Sequence, residues 1–413
     1  MRSHHEANVG GEPARSSARP SITPRFDGVD VLRGLSILAV ILLHTFIRMK
    51  SAGFSVQQLL PPWLFHLLFR NGDNGVTVFF AISGFLITFT SLRRFGSLSQ
   101  MRPKQFYRIR AARIAPLLLL ILAVLSILHL MNAEGFHIPP QKATLARALF
   151  AALTFHLNWL EAVRGYFPAN WDVLWSLSVE EMFYLFFPIV CVLLFQFRRG
   201  KTLLVALLLV FAAMGPFARS IWTTNPIWQE KSYLGGMDGI ALGCLSALRT
   251  NRLLQRRDRP RGYSRTFLVV VEIAGAAMMF LIALWPQWPP FGPWMKTIGS
   301  TGLDGTVLAV GTCLVIVTTV LRGTIGSRLT APVRWFGRHS YEVYLTHEFI
   351  VVWGTQLYTK VHIAPLAIGV IAILALCAPL GAVVAKYFSE PLNRRFRRSG
   401  ATKTSSEPDL VNA

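Results

Sequence analysis

The sequence predicts an all-α integral membrane protein, a polytopic bundle of about ten transmembrane helices with one further re-entrant or interfacial helix. Three observations favour this class. The 413 residues are 53% hydrophobic and only 15% charged, whereas soluble domains carry about 25% charged residues. Apolar stretches of about 15 to 22 residues, long enough to cross a bilayer as a helix, recur along the chain. Lys and Arg gather between these stretches, as expected for cytoplasmic loops.

Ten of the apolar stretches are long enough to cross the membrane. They cover residues 31–48, 75–92, 114–131, 180–197, 202–218, 233–249, 266–285, 303–321, 341–357 and 364–387. An eleventh stretch, 145–160, is shorter and contains His156 and Asn158. If it crossed, every later arginine cluster would lie outside the cell, against the positive-inside rule. We therefore expect a re-entrant or interfacial helix there, with both termini cytoplasmic.

Composition also limits the domain organisation and the partners. Residues 1–25 and 396–413 are predicted to be disordered cytoplasmic tails around one membrane domain, 26–395. The net charge of +22 would favour nucleic acid in a soluble protein, but here the basic residues follow the membrane topology, so no nucleic acid is expected. The four cysteines lie in apolar stretches without a CxxC pair, and no metal site or disulfide is predicted.

Arg33 and His44 stand eleven residues apart on the first apolar stretch. On a helix they fall within about 20° of one face and about 16 Å apart. Placing either side chain against lipid costs free energy, so we expect both to face the protein interior. Arg33 could instead be a snorkelling anchor and His44 a packing residue. The functional interpretation is an enzyme in which neutral His44 serves as a general base.

Two further segments suggest binding. Gly75 and Ser83 belong to a glycine-rich stretch that allows close approach of another helix or of a slender ligand. Arg110 and Arg113 are three residues apart, on one helix face just before a span. These arginines either set the topology or bind the phosphates of a cytoplasmic cofactor.

Polar residues also occur within two later spans. Glu180 and Glu181 stand at the expected outer start of a span, where they could cap the helix or where one could pair with His44. Trp175 belongs to a set of outer tryptophans that favour the membrane interface or line a sugar site. Tyr341 and His347 could form the wall of a polar cavity or a buried hydrogen-bonded network.

Together and in this order, the motifs resemble the membrane-bound acyltransferase 3 family, the O-acetyltransferases of bacterial surface polysaccharides. The matching segments extend from about residue 26 to 398 and read DVLRGLSILAVILLH, NGDNGVTVFFAISGFLI, RIRAARIAP, LWSLSVEEMFYLFFP, SYEVYLTH and SEPLNRRF. Val31 replaces the first glycine of the family's DGLRG motif. Larger members add an outer SGNH hydrolase-like domain, which we expect to be missing here.

The resemblance implies roles for individual residues. It makes His44 and Glu180 catalytic, with Glu180 orienting His44 or balancing its charge from the outer side. Donor binding is assigned to residues of the Arg-x10-His, paired-arginine and glycine-rich motifs, namely Arg33, Arg110, Arg113, Gly75 and Ser83. Substrate binding is assigned to Trp175, Ser176, Tyr341 and His347.

The implied activity is transfer of an acetyl group from cytoplasmic acetyl-CoA, without a metal, to a hydroxyl of a cell-surface or exported glycan. The expected location is the inner membrane of a bacterial cell. Expected partners are acetyl-CoA, a glycan or lipid-linked saccharide and the bilayer, and the sequence is compatible with a homo-oligomer. The alternatives are a small secondary metabolite as acceptor, another acyl donor such as succinyl-CoA, and a glycan transporter or flippase without chemistry. Binding of CoA by the purified protein separates enzyme from transporter.

Overall fold

The computed structural model describes residues 26–255, 263–284, 299–361 and 365–398. All regular secondary structure within these ranges is helical. The first predicted tail and most of the second lie outside the described residues. The helices are, in chain order, α1 (Asp27–Ser51), α2 (Pro62–Phe69), α3 (Gly72–Phe95), α4 (Pro103–Leu130), α5 (Leu145–Leu153), α6 (Leu157–Arg164), α7 (Leu174–Leu194), α8 (Gly200–Ser220), α9 (Pro226–Lys231), α10 (Tyr233–Gln255), α11 (Arg265–Leu284), α12 (Leu303–Arg322), α13 (Ala331–Arg338), α14 (Ser340–Val361), α15 (Leu366–Val384) and α16 (Glu390–Arg398).

Long apolar helices make this a multi-pass membrane protein. Within the described residues, 8 helices are long and apolar enough to cross a bilayer. The two other predicted spans form α10 and α14, of 23 and 22 residues, which are less apolar. The ambiguous segment 145–160 forms α5 and the first half of α6, helices of 9 and 8 residues that are too short to cross. This agrees with the expectation that the segment does not span the membrane.

Ion pairs join the helices at each end of the bundle. The two ends are called the α13 end and the α9 end, after the short helices that lie there. At the α13 end, Arg334 donates to Asp27 over 2.6 Å and Arg338 to Asp30 over 3.1 Å. These bonds tie α13 to the start of α1. At the α9 end, the buried Lys231 donates to Glu161 over 3.0 Å and to Asp172 over 2.6 Å. That network joins α9 to α6 and to the segment before α7.

Lys231 is 1% exposed yet fully paired. Burial alone disfavours its ammonium form, but the carboxylates of Asp172 and Glu161 raise the pKa of Lys231 above its ordinary value. The α9 end is therefore held together by a network centred on Lys231, because loss of Lys231 would remove the cation from both carboxyl groups.

Glycines let the central helices pack with their backbones in contact. A Cβ atom on Gly84 of α3 would lie 1.9 Å from the carbonyl oxygen of Ile240 in α10. One on Gly243 of α10 would lie 2.1 Å from the carbonyl oxygen of Ala81. Neither contact can be relieved by a side-chain rotation, so α3 and α10 need glycine at both positions.

Replacing Gly84 by alanine is expected to lower the free energy of unfolding by about 1–3 kcal/mol, because the added methyl group pushes two helix backbones apart. Thermal unfolding in detergent measures this effect. Gly239→Ala in the same interface is the matched control, since its Cβ would meet the Phe80 side chain at 3.2 Å. Equal stability of the two variants would contradict the close packing.

Candidate active site

A cavity of about 440 Å³ opens at the α13 end between α1, α3, α4, α7 and α14. This volume lies within the range of small-molecule sites. Seven of the eleven predicted site residues line this cavity, namely Arg33, Ser83, Arg110, Arg113, Ser176, Glu180 and Tyr341. Arg94, Glu181 and Arg338 line it as well. The structure thus gathers side chains from six helices, α13 included, into one pocket.

Arginine dominates the charge of this cavity. Five arginines line it against three acids, Asp30, Glu180 and Glu181. Arg33 donates from Nε and Nη2 to the Ser340 hydroxyl, at 3.1 and 2.7 Å. The cavity therefore carries a net positive charge and suits an anionic ligand.

Arg110 is placed by an aromatic ring and a carboxylate. Its guanidinium carbon lies 3.7 Å from the Tyr184 ring centroid, and Nη2 lies 3.4 Å from Glu181 Oε1. Its Nε atom is buried without a hydrogen-bond partner among the described residues. A planar guanidinium held in this way keeps donors available for a phosphate group.

Hydroxyl groups and aromatic rings line the inner part of the cavity. The hydroxyl groups of Ser83 and Tyr184 are in contact. Ser176 Oγ and Tyr344 Oη are 2.7 Å apart, and Tyr344 also donates to the Val173 carbonyl over 3.0 Å. The Tyr344 ring stands edge-on to Phe79, with centroids 6.4 Å apart. These contacts fix Tyr344 as part of the cavity wall.

His44 lies in a second polar site beyond Tyr344. Its Nδ1 atom is 2.8 Å from Glu348 Oε1 and 2.8 Å from His347 Nε2. Arg48, one turn further along α1, holds its Nε 3.6 Å from Glu348 Oε2. The His347 and Tyr344 ring centroids are 5.9 Å apart. One aromatic ring thus separates the arginine cavity from the histidine pair.

His44 is the accessible member of this second site. Its side chain is 18% exposed, whereas His347 is 0% and Glu348 3% exposed. Asp73 and Asp172, at the α9 end, are close enough to act electrostatically on the His44 imidazole. Asp73 is itself exposed. His44 is therefore the member of this site that a substrate can reach.

The expected pairing of Glu180 with His44 is wrong, because the carboxylate bonded to His44 is that of Glu348. Helix α7 begins at Leu174 rather than at the predicted 180. Glu180 therefore lies about 9 Å inside the helix, among the cavity arginines. The sequence does indicate Glu348 as a candidate, because it is an acid directly after His347 within an apolar helix. Its pairing with His44, about 300 positions earlier, cannot be predicted from the local sequence.

Three other predicted residues lie outside the arginine cavity. Gly75 packs on α1, where its Cβ would lie 2.7 Å from the Ser36 carbonyl oxygen, so it serves helix packing rather than donor contact. Trp175 is buried against Phe80, with ring centroids 6.1 Å apart. His347 is buried beside His44 rather than placed on a surface that a substrate reaches. Ser176 and Tyr341 do line the cavity, and Tyr341 donates to the Ile114 carbonyl over 2.9 Å.

The histidine site also offers possible metal ligands. Atoms of His44, His347 and Glu348 lie within 4.8 Å of one another. Both contacts to His44 Nδ1 have the 2.8 Å length of hydrogen bonds. The hydrogen bond between the two histidines and the ion pair of His44 with Glu348 account for this geometry, and the expectation that no metal is needed stays a prediction.

The fold and the two sites together define a membrane-embedded protein with an arginine-lined cavity beside a histidine–carboxylate pair. Residues 26–384 match the model of the acyltransferase 3 family, described as an acyltransferase domain. The chain therefore belongs to that family. No solved structure shows a significant match.

Three relatives illustrate what the chain is similar to. It is 23% identical over 398 residues to O-acetyltransferase OatA of Staphylococcus aureus, covering 90% of this chain and 58% of the relative. It is 24% identical over 344 residues to the Bacillus subtilis protein called putative peptidoglycan O-acetyltransferase YrhL, covering 80% and 49%. Peptidoglycan O-acetyltransferase OatA of Listeria monocytogenes is 24% identical over 342 residues, covering 80% and 50%. The chain spans about half the length of these relatives.

Proposed function

We propose that the protein transfers an acetyl group from acetyl-CoA to a hydroxyl of a cell-surface or exported glycan on the other side of a bacterial inner membrane. One observation carries the proposal: an arginine cavity that opens at the α13 end stops one aromatic ring short of a histidine–carboxylate pair that faces the α9 end. Family membership and relatives named as peptidoglycan O-acetyltransferases support the reaction class and a glycan acceptor.

The donor binds with its phosphates at the mouth of the cavity. Arg33, Arg110 and Arg113 supply charged donors there, and guanidinium groups bind phosphate oxygens in pairs. The slender pantetheine arm then follows the inner wall past Ser83 and Phe79 toward Tyr344. Tyr344 lines the cavity and lies beside His347, so the thioester approaches His44 past this ring.

The chemistry is general-base catalysis of acyl transfer. The His44 imidazole takes the proton of the acceptor hydroxyl while the hydroxyl oxygen attacks the thioester carbonyl carbon. A C–O bond forms, the C–S bond breaks, and the departing CoA sulfur takes up the proton that His44 accepted, which returns the imidazole to its neutral form. Glu348 stabilises the imidazolium that forms, since its carboxylate lies 2.8 Å from His44 Nδ1.

The arginine distribution supports the orientation. The connection between α3 and α4 and the start of α4 are rich in Arg and Lys, and they lie at the end where the cavity opens. By the positive-inside rule this is the cytoplasmic side, where acetyl-CoA is available. The α9 end, with His44 nearer to it, then faces outward.

Blocking the cavity tests this function. Ser83→Trp fills the inner cavity and should abolish both the thermal stabilisation of the purified protein by CoA and acetyl transfer to peptidoglycan fragments. A ligand at about 100 times its Kd stabilises by about 2.7 kcal/mol, so the loss is measurable. Ser99→Trp, at an exposed position, is the matched control. If Ser83→Trp still binds CoA with unchanged affinity, the donor site lies elsewhere. Thermal unfolding of Ser83→Trp without CoA shows whether this variant folds like the native protein.

A further inference from the structure

The protonation of His347 follows from one hydrogen bond. Its Nδ1 atom lies 2.7 Å from the backbone carbonyl oxygen of Tyr344. A carbonyl oxygen only accepts hydrogen bonds, so Nδ1 must carry the proton. In neutral His347 the lone pair therefore resides on Nε2.

That lone pair is aimed at His44. The two imidazole planes differ by 13°, and the ring centroids are 5.0 Å apart although the Nδ1 and Nε2 atoms are 2.8 Å apart. The centroids are far apart although the two nitrogen atoms are close, so the nitrogens lie on the line between the ring centres. The rings therefore lie edge to edge in almost one plane. This is the geometry in which an N–H points along an acceptor lone pair.

Two acceptors thus converge on one nitrogen of His44. His347 Nε2 and Glu348 Oε1 are each 2.8 Å from His44 Nδ1. If Nδ1 lacked a proton, three lone pairs would face one another in a buried site, at the cost of unpaired buried polar atoms. Nδ1 of His44 therefore carries the proton, and the basic lone pair is on Nε2.

We propose that His347 is a positioning residue that, with Glu348, locks His44 in the tautomer whose Nε2 accepts the proton of the acceptor hydroxyl. The inference rests on the proposed function and names the reacting nitrogen within it. His347 is fully buried, so it acts on His44 and does not touch the substrate. Glu348 balances the charge that develops, whereas neutral His347 fixes the ring plane and the tautomer. During transfer the Nδ1 proton stays in place and only Nε2 gains one.

Variants of His347 test its role by their separate effects on turnover and binding. His347→Leu removes the acceptor and should lower kcat by about 100-fold, since a general base contributes about 10²–10⁴-fold and Glu348 still holds Nδ1. His347→Gln keeps an acceptor oxygen and should stay within about tenfold of the native kcat. Both should leave the acceptor KM and acetyl-CoA binding unchanged. His339→Leu is the control, because His339 Nδ1 also contacts a backbone carbonyl, that of Trp335 at 2.9 Å.

Methylated histidines at position 44 test the nitrogen directly. Nε2-methylhistidine keeps the Nδ1 proton and its two acceptors, so the protein should fold normally and lose transfer. Native activity with Nε2-methylhistidine, or native kcat in His347→Leu, would overturn the inference. His44→Gln separates the two levels: if that variant is fully active, the proposed base itself is wrong, whereas an inactive His44→Gln with an active His347→Leu overturns only the role of His347.

Discussion

Replacing His44 by glutamine is expected to lower the rate of acetyl transfer by about 10³-fold while acetyl-CoA binding changes less than about twofold. The reason is that glutamine cannot take a proton from the acceptor hydroxyl, and general-base catalysis contributes about 10²–10⁴-fold. The donor site is unaffected because it lies on the other side of Tyr344. Transfer of labelled acetyl groups by the reconstituted protein measures the first quantity, and equilibrium dialysis with acetyl-CoA the second.

A second histidine provides the control for this experiment. His66 on α2 is half-buried and lies outside both polar sites. His66→Gln should retain native transfer. Native transfer in His44→Gln, at equal protein levels, would remove His44 from the mechanism.

Neutralising Arg110 is expected to weaken acetyl-CoA binding by about 10- to 100-fold. A hydrogen bond to a charged group contributes about 1.5–3 kcal/mol, and each 1.4 kcal/mol is a factor of ten in Kd. Because Arg110→Gln alone would leave Glu181 unpaired, the informative variant is Arg110→Gln combined with Glu181→Gln, which removes both partners. Its Kd for acetyl-CoA is measured by equilibrium dialysis.

Lys104→Gln is the matched control for the arginine, since it removes an exposed charge from the first turn of the same helix. It should bind acetyl-CoA almost as the native protein does. An unchanged Kd in the Arg110 double variant would mean that Arg110 serves topology rather than donor binding. Arg110→Lys should bind less tightly than the native protein, because an ammonium group cannot replace the planar pair of donors.

The membrane fold was readable from the chain because hydrophobicity alone decides which segments can enter a bilayer. The ends of the helices could not be predicted in the same way, because hydropathy marks the apolar centre of a helix and not its polar first turns. α1 begins at Asp27 instead of 31, and α7 at Leu174 instead of 180. In α1 the two extra acids, Asp27 and Asp30, suit the positive end of the helix dipole.

The part of the site that could be predicted is the part that motif order alone determines. Arg33, Arg110, Arg113 and Ser83 were recognisable because motif order placed them on one side of the membrane, and they do line one cavity. The partner of His44 depends on how α1 and α14 cross, which no local pattern encodes. Glu348 was therefore missed.

The most direct test of the central claim is transfer across a membrane with donor and acceptor on opposite sides. Proteoliposomes with one protein orientation, checked by protease access to the loop between α3 and α4, receive labelled acetyl-CoA on one side and peptidoglycan fragments on the other. We expect product when acetyl-CoA is on the α13 side and the glycan is on the α9 side, and almost none in the reverse arrangement. Efficient transfer with both molecules supplied on the α9 side would contradict an arginine cavity that loads the donor from the opposite face.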